Sequence, residues 1–315
     1  RFRFIFELIS PELRQYFWEA DSDELPYSRN QRAMVYQRSK QILAARPFGS
    51  DENQYLEDFN WLNHSINPSK IDDDDFRIRV GEGDNAYDIS VLNISGTSFG
   101  SISPKAIEAF SAGAKKGGFA HNTGEGSLSK YHQKGGGDTI WQISTGYFGC
   151  RTPDGKFDED QFSEKSKLSQ VKMIEIKLSQ GAKPGHGGML LGAKVSPEIA
   201  QTRNVPLYKD VISPHKHSEF STPGELLCFA QKLRQLSGDK PVGIKLCIGH
   251  PWVFIDLVNE MVETGEILFA NLKLSGQDNS LYFFDKEGSE GHYDKSGKSV
   301  QKALMKTPIN GARLS

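Results

Sequence analysis

The sequence predicts an α/β protein of the (β/α)8 TIM-barrel type, incomplete at its C-terminal end, with a small helical segment at its N-terminus. From Tyr87 onward, short apolar runs alternate with stretches of helical periodicity, which is typical of parallel strands joined by helices. Lysines, a glutamate and glycines cluster where the apolar runs end. The carboxyl ends of barrel strands meet at one mouth, so we expect these polar residues to share one site.

The first 70 residues are predicted to form a helical cap ahead of a partial barrel over residues 71–265. Gln31–Ala44 has helical spacing, and Pro47 and Pro68 interrupt the pattern that follows it. Arg1–Ile9 has the pattern of a helix whose start lies before residue 1. The full-length protein could therefore carry a membrane anchor upstream of residue 1. The chain itself contains no run of about 18 apolar residues, and we expect a cytoplasmic location.

The predicted strands and helices follow one another at barrel-like spacing. Ser103 ahead of Pro104 is typical of a helix N-cap with proline as the first helical residue. In chain order the predicted units are Asp88–Ile94 with Pro104–Lys116, Phe119–His121, Thr139–Tyr147, Val171–Lys177 with Ser196–Arg203, Val211–Ile212 with Thr222–Leu236, and Val242–Cys247 with Trp252–Glu263.

The pattern changes after Gly265, and we assign residues 266–315 to a polar C-terminal segment of uncertain structure. Leu268–Leu274 is a candidate for one more strand. No apolar strand leads into Gly288, Gly291 or Gly297, so these glycines are predicted to mark turns. A complete barrel uses about 250 residues, and the segment available here is shorter. A truncated gene product and a remodelled C-terminus explain this equally well.

Charge and cysteine content exclude several classes of function. The formal net charge is −2, so the chain lacks the excess of positive charge that is typical of nucleic-acid-binding proteins. The acidic run Asp72–Asp75 is best explained as a solvated turn, because no EF-hand spacing follows it. Cys150, Cys228 and Cys247 are far apart and lack metal-site or cluster spacing, which fits a reducing compartment.

The segment Val171–Gly188 predicts an anion site. Its first half is an apolar strand with Lys177 at the carboxyl end, and its second half is a loop that carries Lys183 and several glycines. Glycines let a backbone turn sharply and approach a ligand closely. The alternative is an ordinary strand-to-helix loop that happens to carry lysines.

His215 and His217 stand two residues apart and are candidates for metal ligands. No third ligand follows at a recognisable spacing, so we predict loop histidines that line a pocket and no bound metal.

Several motifs together resemble the FMN-binding synthase domain of glutamate synthase, in its stand-alone branch, over roughly residues 7–265. The run Ile174–Gly188 (IEIKLSQGAKPGHGG) is similar to the hallmark of that family. The other matching motifs, in chain order, are Pro11–Phe17, Asn30–Arg32, Trp61–Ser65, Ile94–Ser103 with Pro104–Phe110, Asn122–Gly126, Gln142–Gly149, Ile212–His217 and Val242–Cys247.

The resemblance implies FMN as the cofactor. Negative charge collects at the N1/O2 edge of a reduced flavin, and the resemblance places the cations Lys177 and Lys245 there. The alternative is that both lysines extend to the surface. The resemblance also implies that the flavin contacts Thr97, Ser98, Gln142 and Ser144.

A dicarboxylate substrate needs cations of its own, and the resemblance assigns Lys183, Arg203 and Ser221 to this role. It implies catalytic roles for Glu125, Lys177 and Lys183, with Glu125 beside the imine carbon. The alternative for Glu125 is a carboxylate at a helix start.

Two residues depart from the family pattern. The large synthases carry a glutamate and a glutamine where this chain has His186 and Met189, so the identity of the substrate stays open.

The implied reaction is FMN-mediated reductive amination of 2-oxoglutarate to L-glutamate. The first cysteine is Cys150, so no N-terminal glutaminase nucleophile is present in the sequence, and free ammonia or a separate glutaminase subunit is expected. Electrons would come from a donor protein or from reduced nicotinamide. The alternatives are an FMN-dependent oxidoreductase acting on another 2-oxo acid, and a non-catalytic truncated barrel.

The chain as given is expected to bind FMN weakly or not at all. In flavin barrels the last two strand-to-helix loops hold the cofactor phosphate, and Gln277–Ser315 lacks loops of that kind.

Overall fold

The computed structural model describes residues 27–42, 55, 65–68, 77–178, 185–264, 269–274, 277–284 and 291–293. The chain divides into two compact units, Arg1–Ile71 and Asp72–Ser315. The helical pattern of Arg1–Ile9 lies outside the described residues. Within the described part of the chain, no helix has both the length and the apolar content needed to cross a bilayer.

The first unit contains helix α1 (Arg29–Ser39). Ser28 accepts a hydrogen bond from the backbone N–H of Gln31, and the Gln31 side chain accepts one from the Ser28 N–H, which is a capping box. The helix therefore begins two residues before the predicted Gln31. It ends at Ser39, and Gln41 follows with a φ of 60°.

The second unit begins with an antiparallel hairpin of β1 (Arg77–Val80) and β2 (Tyr87–Ser90). The predicted first barrel strand, Asp88–Ile94, is therefore wrong. Arg79 and Asp88 are cross-strand partners with their charged groups 3.4 Å apart, a pairing that favours the hairpin. Ile94 contributes one parallel bridge, to His121.

Nine further strands and six further helices are described after the hairpin. They are α2 (Pro104–Gly117), β3 (Ala120–Asn122), α3 (Lys130–Gly135), β4 (Asp138–Ile143), α4 (Glu159–Ser166), β5 (Val171–Lys177), β6 (Met189–Leu190), α5 (Pro197–Arg203), β7 (Val211–Ile212), α6 (Pro223–Ser237), β8 (Val242–Lys245), α7 (Pro251–Thr264), β9 (Phe269–Leu274), β10 (Gln277–Phe284) and β11 (Gly291–Tyr293).

Strands β3, β4, β5 and β8 form a parallel sheet in that order. The prediction of an α/β fold with a parallel sheet is confirmed. The described residues do not form a closed barrel. The sequence analysis missed the short helices α3 and α4; Asp158 caps α4 by accepting a hydrogen bond from the Gln161 N–H.

The two faces of the parallel sheet differ in chemistry, because side chains alternate along each strand. One face carries fully buried apolar side chains such as Trp141 and Ile174, which pack against helices α4, α6 and α7. Trp141, for example, stacks on Phe162 of α4 with ring centroids 5.3 Å apart. The other face, the polar face, carries Asn122, Gln142, Glu175, Lys177 and Lys245.

Two predictions for the remaining strands are corrected. Val211–Ile212 pairs antiparallel with β6 and is not part of the parallel sheet, because the Ser213 N–H donates to the Gly188 carbonyl and continues that pairing. Strand β9 confirms the predicted strand at Leu268–Leu274, but it pairs antiparallel with β10. Gly291 lies in β11, which pairs with the end of β10, and is not a turn residue.

Candidate functional site

A small cavity that is partly open to solvent lies at the carboxyl ends of the parallel strands. Its position agrees with the general rule that sites in parallel α/β sheets form where the strands end. The lining residues come from the ends of β4 and β5 and from three loops: Glu125, Ser144, Thr145, Lys177, Leu178, His186, Gly187, Gly188, Pro214 and His215.

Glu125 and Lys177 form an ion pair inside this cavity. Lys177 is the last residue of β5, and Glu125 lies in the 3-10 turn Gly124–Gly126 that follows β3. Lys177 Nζ is 3.0 Å from Glu125 Oε2, and the two side chains are only 11% and 17% exposed. A lysine this shielded from water requires an opposite charge, and Glu125 provides it. The structure thus brings together two residues that the sequence assigned to catalysis.

The glycine-rich loop lies directly against Glu125. A Cβ atom at Gly188 would be 1.7 Å from Glu125 Oε1, and one at Gly187 would be 2.1 Å from the Ser213 carbonyl oxygen. The contact at Gly187 is with backbone, so that position requires glycine, whereas a side chain at Gly188 would have to displace the Glu125 carboxylate. Lys183 lies in the segment 179–184, outside the described residues.

His217 supports the strand that carries Lys177. Its Nε2 is 2.9 Å from the Lys177 carbonyl oxygen and its Nδ1 is 3.0 Å from the Tyr147 hydroxyl oxygen. The ring is buried and stacks on Phe220 with centroids 4.6 Å apart. Burial lowers the pKa of His217 from its ordinary value, so the ring is neutral at pH 7.

His215 and His217, the two candidates for metal ligands, have different surroundings in the structure. His215 lines the cavity, whereas His217 uses both ring nitrogens in hydrogen bonds to protein groups. Across the described ranges, no three His, Cys, Asp or Glu side chains converge as a metal site would require.

Gln142 and Lys245 lie on the polar face beside the cavity. Gln142 is buried, and its Nε2 donates to Glu175 Oε1 at 2.5 Å. Lys245 is the register partner of Lys177 on the neighbouring strand, so two cations stand side by side at the strand ends. Ser144 follows β4, lines the cavity, and accepts a hydrogen bond from the Tyr147 N–H through its carbonyl oxygen.

Thr97 and Ser98 hold the loop after β2 against the Glu125 turn. Thr97 Oγ1 is 2.6 Å from His121 Nε2, and the Thr97 N–H donates to the Asn122 carbonyl. Ser98 Oγ accepts a hydrogen bond from the Gly126 N–H at 3.2 Å. Both hydroxyl groups are thus engaged in fixing the loop, and their predicted flavin contacts stay a prediction.

Arg203 and Ser221 lie away from the cavity lining. Arg203 is 4% exposed, its Nη2 donates to the Phe99 carbonyl at 2.8 Å, and its guanidinium lies over the Phe148 ring. Burial lowers the pKa of Arg203, and the Glu125 charge opposes that shift. Ser221 is exposed, and its N–H donates to Glu225 at the start of α6. Their roles in substrate binding stay predictions.

Glu175 and Tyr147 belong to the site or its support but were not predicted to, whereas His186 was predicted only as a departure from the family pattern that bears on the substrate. Glu175 could have been found, because it precedes Lys177 by two residues and must therefore share its face of the strand. His186 lines the cavity, whereas nothing local in the sequence indicates that Tyr147 contacts the distant His217.

These side chains fit a flavin in chemical terms. A flavin needs a cation near its N1/O2 edge and hydrogen-bonding groups at its pyrimidine edge. The polar face offers the neighbouring lysines Lys177 and Lys245 and the carboxamide of Gln142 within one sheet.

Comparison with known proteins gives a consistent picture. Residues 62–267 match the family model described as the conserved region in glutamate synthase. The chain is 36% identical to the glutamate synthase large subunit-like protein YerD of Bacillus subtilis, covering 84% of this chain and 58% of that protein.

Two further relatives match over about half of the chain. They are the glutamate synthase large subunit-like protein of Rhizobium meliloti, at 31% identity over 51% of this chain and 34% of the relative, and the archaeal glutamate synthase [NADPH] of Archaeoglobus fulgidus, at 33% identity over 56% of this chain and 32% of the relative. The chain thus spans 58% of the length of the first relative and about a third of the other two.

Proposed function

The chain belongs to the glutamate synthase family, and from this premise we propose that it is an FMN-dependent oxidoreductase that forms L-glutamate from 2-oxoglutarate and ammonia. The observation that carries the proposal is the buried ion pair of Glu125 and Lys177 in a cavity at the carboxyl ends of parallel strands. The proposal includes a (β/α)8-type barrel, in which β3, β4, β5 and β8 would be neighbouring strands.

In this proposal the polar face holds the isoalloxazine ring. Lys177 and Lys245 would lie near its N1/O2 edge, and Gln142 would contact its pyrimidine edge. FMN, when bound, would supply the hydride that reduces the C=N bond of the substrate.

Glu125 and Lys177 would act on the substrate from one side of the cavity. Ammonia and 2-oxoglutarate give 2-iminoglutarate and water, and the protonated imine is a cation at the carbon that accepts the hydride. The Glu125 carboxylate would pair with that positive charge, while Lys177 would keep the carboxylate in place through their ion pair. Hydride addition to the carbon would leave a neutral amine, which would take up one proton from water to become the ammonium group of glutamate.

In this proposal a separate electron donor reduces the flavin, and the ammonia is made elsewhere. The Archaeoglobus fulgidus relative is named as an NADPH enzyme, which supports reduced nicotinamide as the ultimate donor, directly or through a donor protein. Ammonia would be free or would come from a separate glutaminase subunit.

A second candidate is an FMN-dependent oxidoreductase that acts on another 2-oxo acid. It is favoured by Met189, which stands where the resemblance to the large synthases leads us to expect a glutamine; His186, the second departure from that pattern, lines the cavity. A panel of 2-oxo acids, each supplied with ammonium, separates the two candidates: the proposal expects 2-oxoglutarate to be the preferred substrate.

The proposal is tested by measuring glutamate formation with Glu125→Gln. Removing the charge that faces the imine should lower turnover about 100-fold, in line with the loss of one electrostatic contact at a reacting centre. Glu159→Gln is the matched control, because Glu159 pairs with Lys232 on the surface at 2.6 Å and does not line the cavity. Equal turnover of the two variants would contradict the proposal.

A further inference from the structure

Glu175 lies in the middle of β5, two residues before Lys177 on the polar face. Its Oε1 accepts two hydrogen bonds from side-chain amides on the neighbouring strands: one from Asn122 Nδ2 at 2.9 Å and one from Gln142 Nε2 at 2.5 Å. One carboxylate oxygen thus ties three adjacent strands together through their side chains.

These hydrogen bonds determine which end of each amide, nitrogen or oxygen, faces Glu175. A carboxylate only accepts hydrogen bonds, so each amide must turn its nitrogen toward Glu175. For Asn122 the other end agrees, because its Oδ1 accepts a hydrogen bond from the Gly124 N–H at 2.9 Å. The Nε2 group of Gln142 also lies 3.5 Å from Asn122 Oδ1.

The carbonyl end of Gln142 has no donor among the described residues. The side chain as a whole is only 2% exposed, but Oε1 is not one of the fully buried polar atoms that lack a partner, so this end of the amide is open to solvent or a ligand. The Gln142 backbone N–H donates to Thr123 Oγ1 at 3.0 Å, and a Cβ at Gly96 would lie 3.3 Å from Gln142 Nε2. The Gln142 amide is therefore held between Glu175 and the chain at Gly96, and its Oε1 atom is available as a hydrogen-bond acceptor.

We propose that Glu175 is a positioning residue that fixes the carboxamide of Gln142 so that its Oε1 accepts from an N–H donor of the ligand. The inference rests on the proposed flavin site and specifies its chemistry. The pyrimidine edge of an isoalloxazine carries one donor, the imide N3–H, between two carbonyl oxygens. Gln142 would therefore bind N3–H and not the carbonyl groups, while Glu175 itself would not touch the flavin.

The orientation is testable without any flavin. In protein labelled with 15N-glutamine, the Gln142 side-chain amide should exchange slowly with water, and its signal is assigned by its loss in Gln142→Met. Glu175→Met should abolish the slow exchange, because the amide loses its short hydrogen bond to Glu175 and keeps only the 3.5 Å contact with Asn122 Oδ1. Glu175→Gln should preserve it, because an amide oxygen still accepts from Gln142. Slow exchange in Glu175→Met, or its loss in folded Glu175→Gln, would overturn the proposal.

The ligand contact is tested by titration with riboflavin and 3-methylriboflavin, which lacks the imide donor. The wild type should bind the methylated compound about tenfold more weakly, the effect of one buried acceptor left unpaired. That discrimination should persist in Glu175→Gln and shrink below about threefold in Glu175→Met. Equal discrimination in the wild type and Glu175→Met would overturn the proposal. If the wild type binds neither compound, the proposed flavin function fails, and amide exchange still decides the role of Glu175.

Discussion

The Nε2 atom of His217 lies 2.9 Å from the carbonyl oxygen of Lys177. A carbonyl oxygen can only accept, so Nε2 carries the hydrogen and Nδ1 accepts from the Tyr147 hydroxyl. The Tyr147 oxygen in turn accepts from the Ser218 N–H at 3.2 Å. One neutral tautomer of His217 therefore satisfies two polar groups, the Lys177 carbonyl and the Tyr147 hydroxyl.

The Lys177 carbonyl needs this donor because of the sheet register. The N–H groups of Ile174 and Leu178 donate toward β8, so the backbone groups of Lys177, between them, face β4. Strand β4 ends at Ile143, the register partner of Ile176, and has no strand residue opposite Lys177. His217 takes the place of the missing strand.

We predict that His217→Phe lowers the free energy of unfolding by about 2–4 kcal/mol, because the Lys177 carbonyl and the Tyr147 hydroxyl both lose a buried partner. His217→Gln should cost about 1 kcal/mol, since its amide offers both a donor and an acceptor. Urea denaturation measures both values. His250→Phe, at an exposed histidine, is the control. A similar cost for the Phe and Gln variants at 217 would mean that packing, and not hydrogen bonding, fixes this histidine.

Stability should also fall in mild acid. Burial lowers the pKa of His121 to about 4 and that of His132 to about 3, and both rings are fully buried. An unfolded histidine titrates near 6.5, so between that pH and about 4 the unfolded chain binds more protons than the folded one. The stability that neutral histidines contribute is thus complete above pH 6.5 and lost as the pH falls.

Each of these histidines should contribute a slope of up to about 1.4 kcal/mol per pH unit in that window. Urea denaturation at a series of pH values measures the slope, and His132→Gln should reduce it. A free energy of unfolding that stays constant from pH 7 to pH 5 would contradict the burial of neutral histidines.

Lys177→Met should weaken flavin binding and disfavour the reduced flavin, because the cation proposed to stabilise its N1 charge is lost while the side-chain length is roughly kept. Fluorescence titration and the reduction potential measure the two effects. Lys156→Met is the control, since Lys156 is 73% exposed and pairs with Asp154 on the surface. Unchanged affinity and potential in Lys177→Met would show that Lys177 does not serve the flavin.

Gly188→Ala should displace the Glu125 carboxylate, because the added Cβ would lie 1.7 Å from Oε1. Glutamate formation should fall at least tenfold, with a loss of stability of about 1–3 kcal/mol from overpacking. Gly113→Ala in α2 is the matched control: its Cβ would meet nothing within 4 Å, and alanine should stabilise the helix by about 0.5–1 kcal/mol. Full activity of Gly188→Ala would mean that Glu125 can move without consequence.

The sequence predicted strand β5 well because the evidence there is local. Apolar residues mark Val171–Lys177, and the lysine at its end and the glycines after it point to a ligand. Helices α2, α5 and α6 were also predicted, since each follows a Ser or Thr and begins with proline.

The wrong predictions concern strand pairing: which strand pairs with which, and whether the pair is parallel or antiparallel. Nothing in Tyr87–Ser90 specifies an antiparallel partner, and β7 is too short to reveal its pairing. The burial of the Arg203 guanidinium against the Phe99 carbonyl and the Phe148 ring was likewise not predictable, and its role in substrate binding stays a prediction. Tertiary contacts of this kind leave no periodic pattern in the sequence.

The central claim is most directly tested by an anaerobic half-reaction. The chain, at a concentration high enough to fill the weak FMN site that its sequence predicts, is mixed with FMN, reduced, and then exposed to 2-oxoglutarate and ammonium. Flavin absorbance and glutamate are followed, with free reduced FMN as the blank. We predict that the flavin is reoxidised only when both compounds are present, that one glutamate forms per flavin reoxidised, and that Glu125→Gln slows the step about 100-fold. No reoxidation with both compounds present, or equal rates for wild type and Glu125→Gln, would contradict the account.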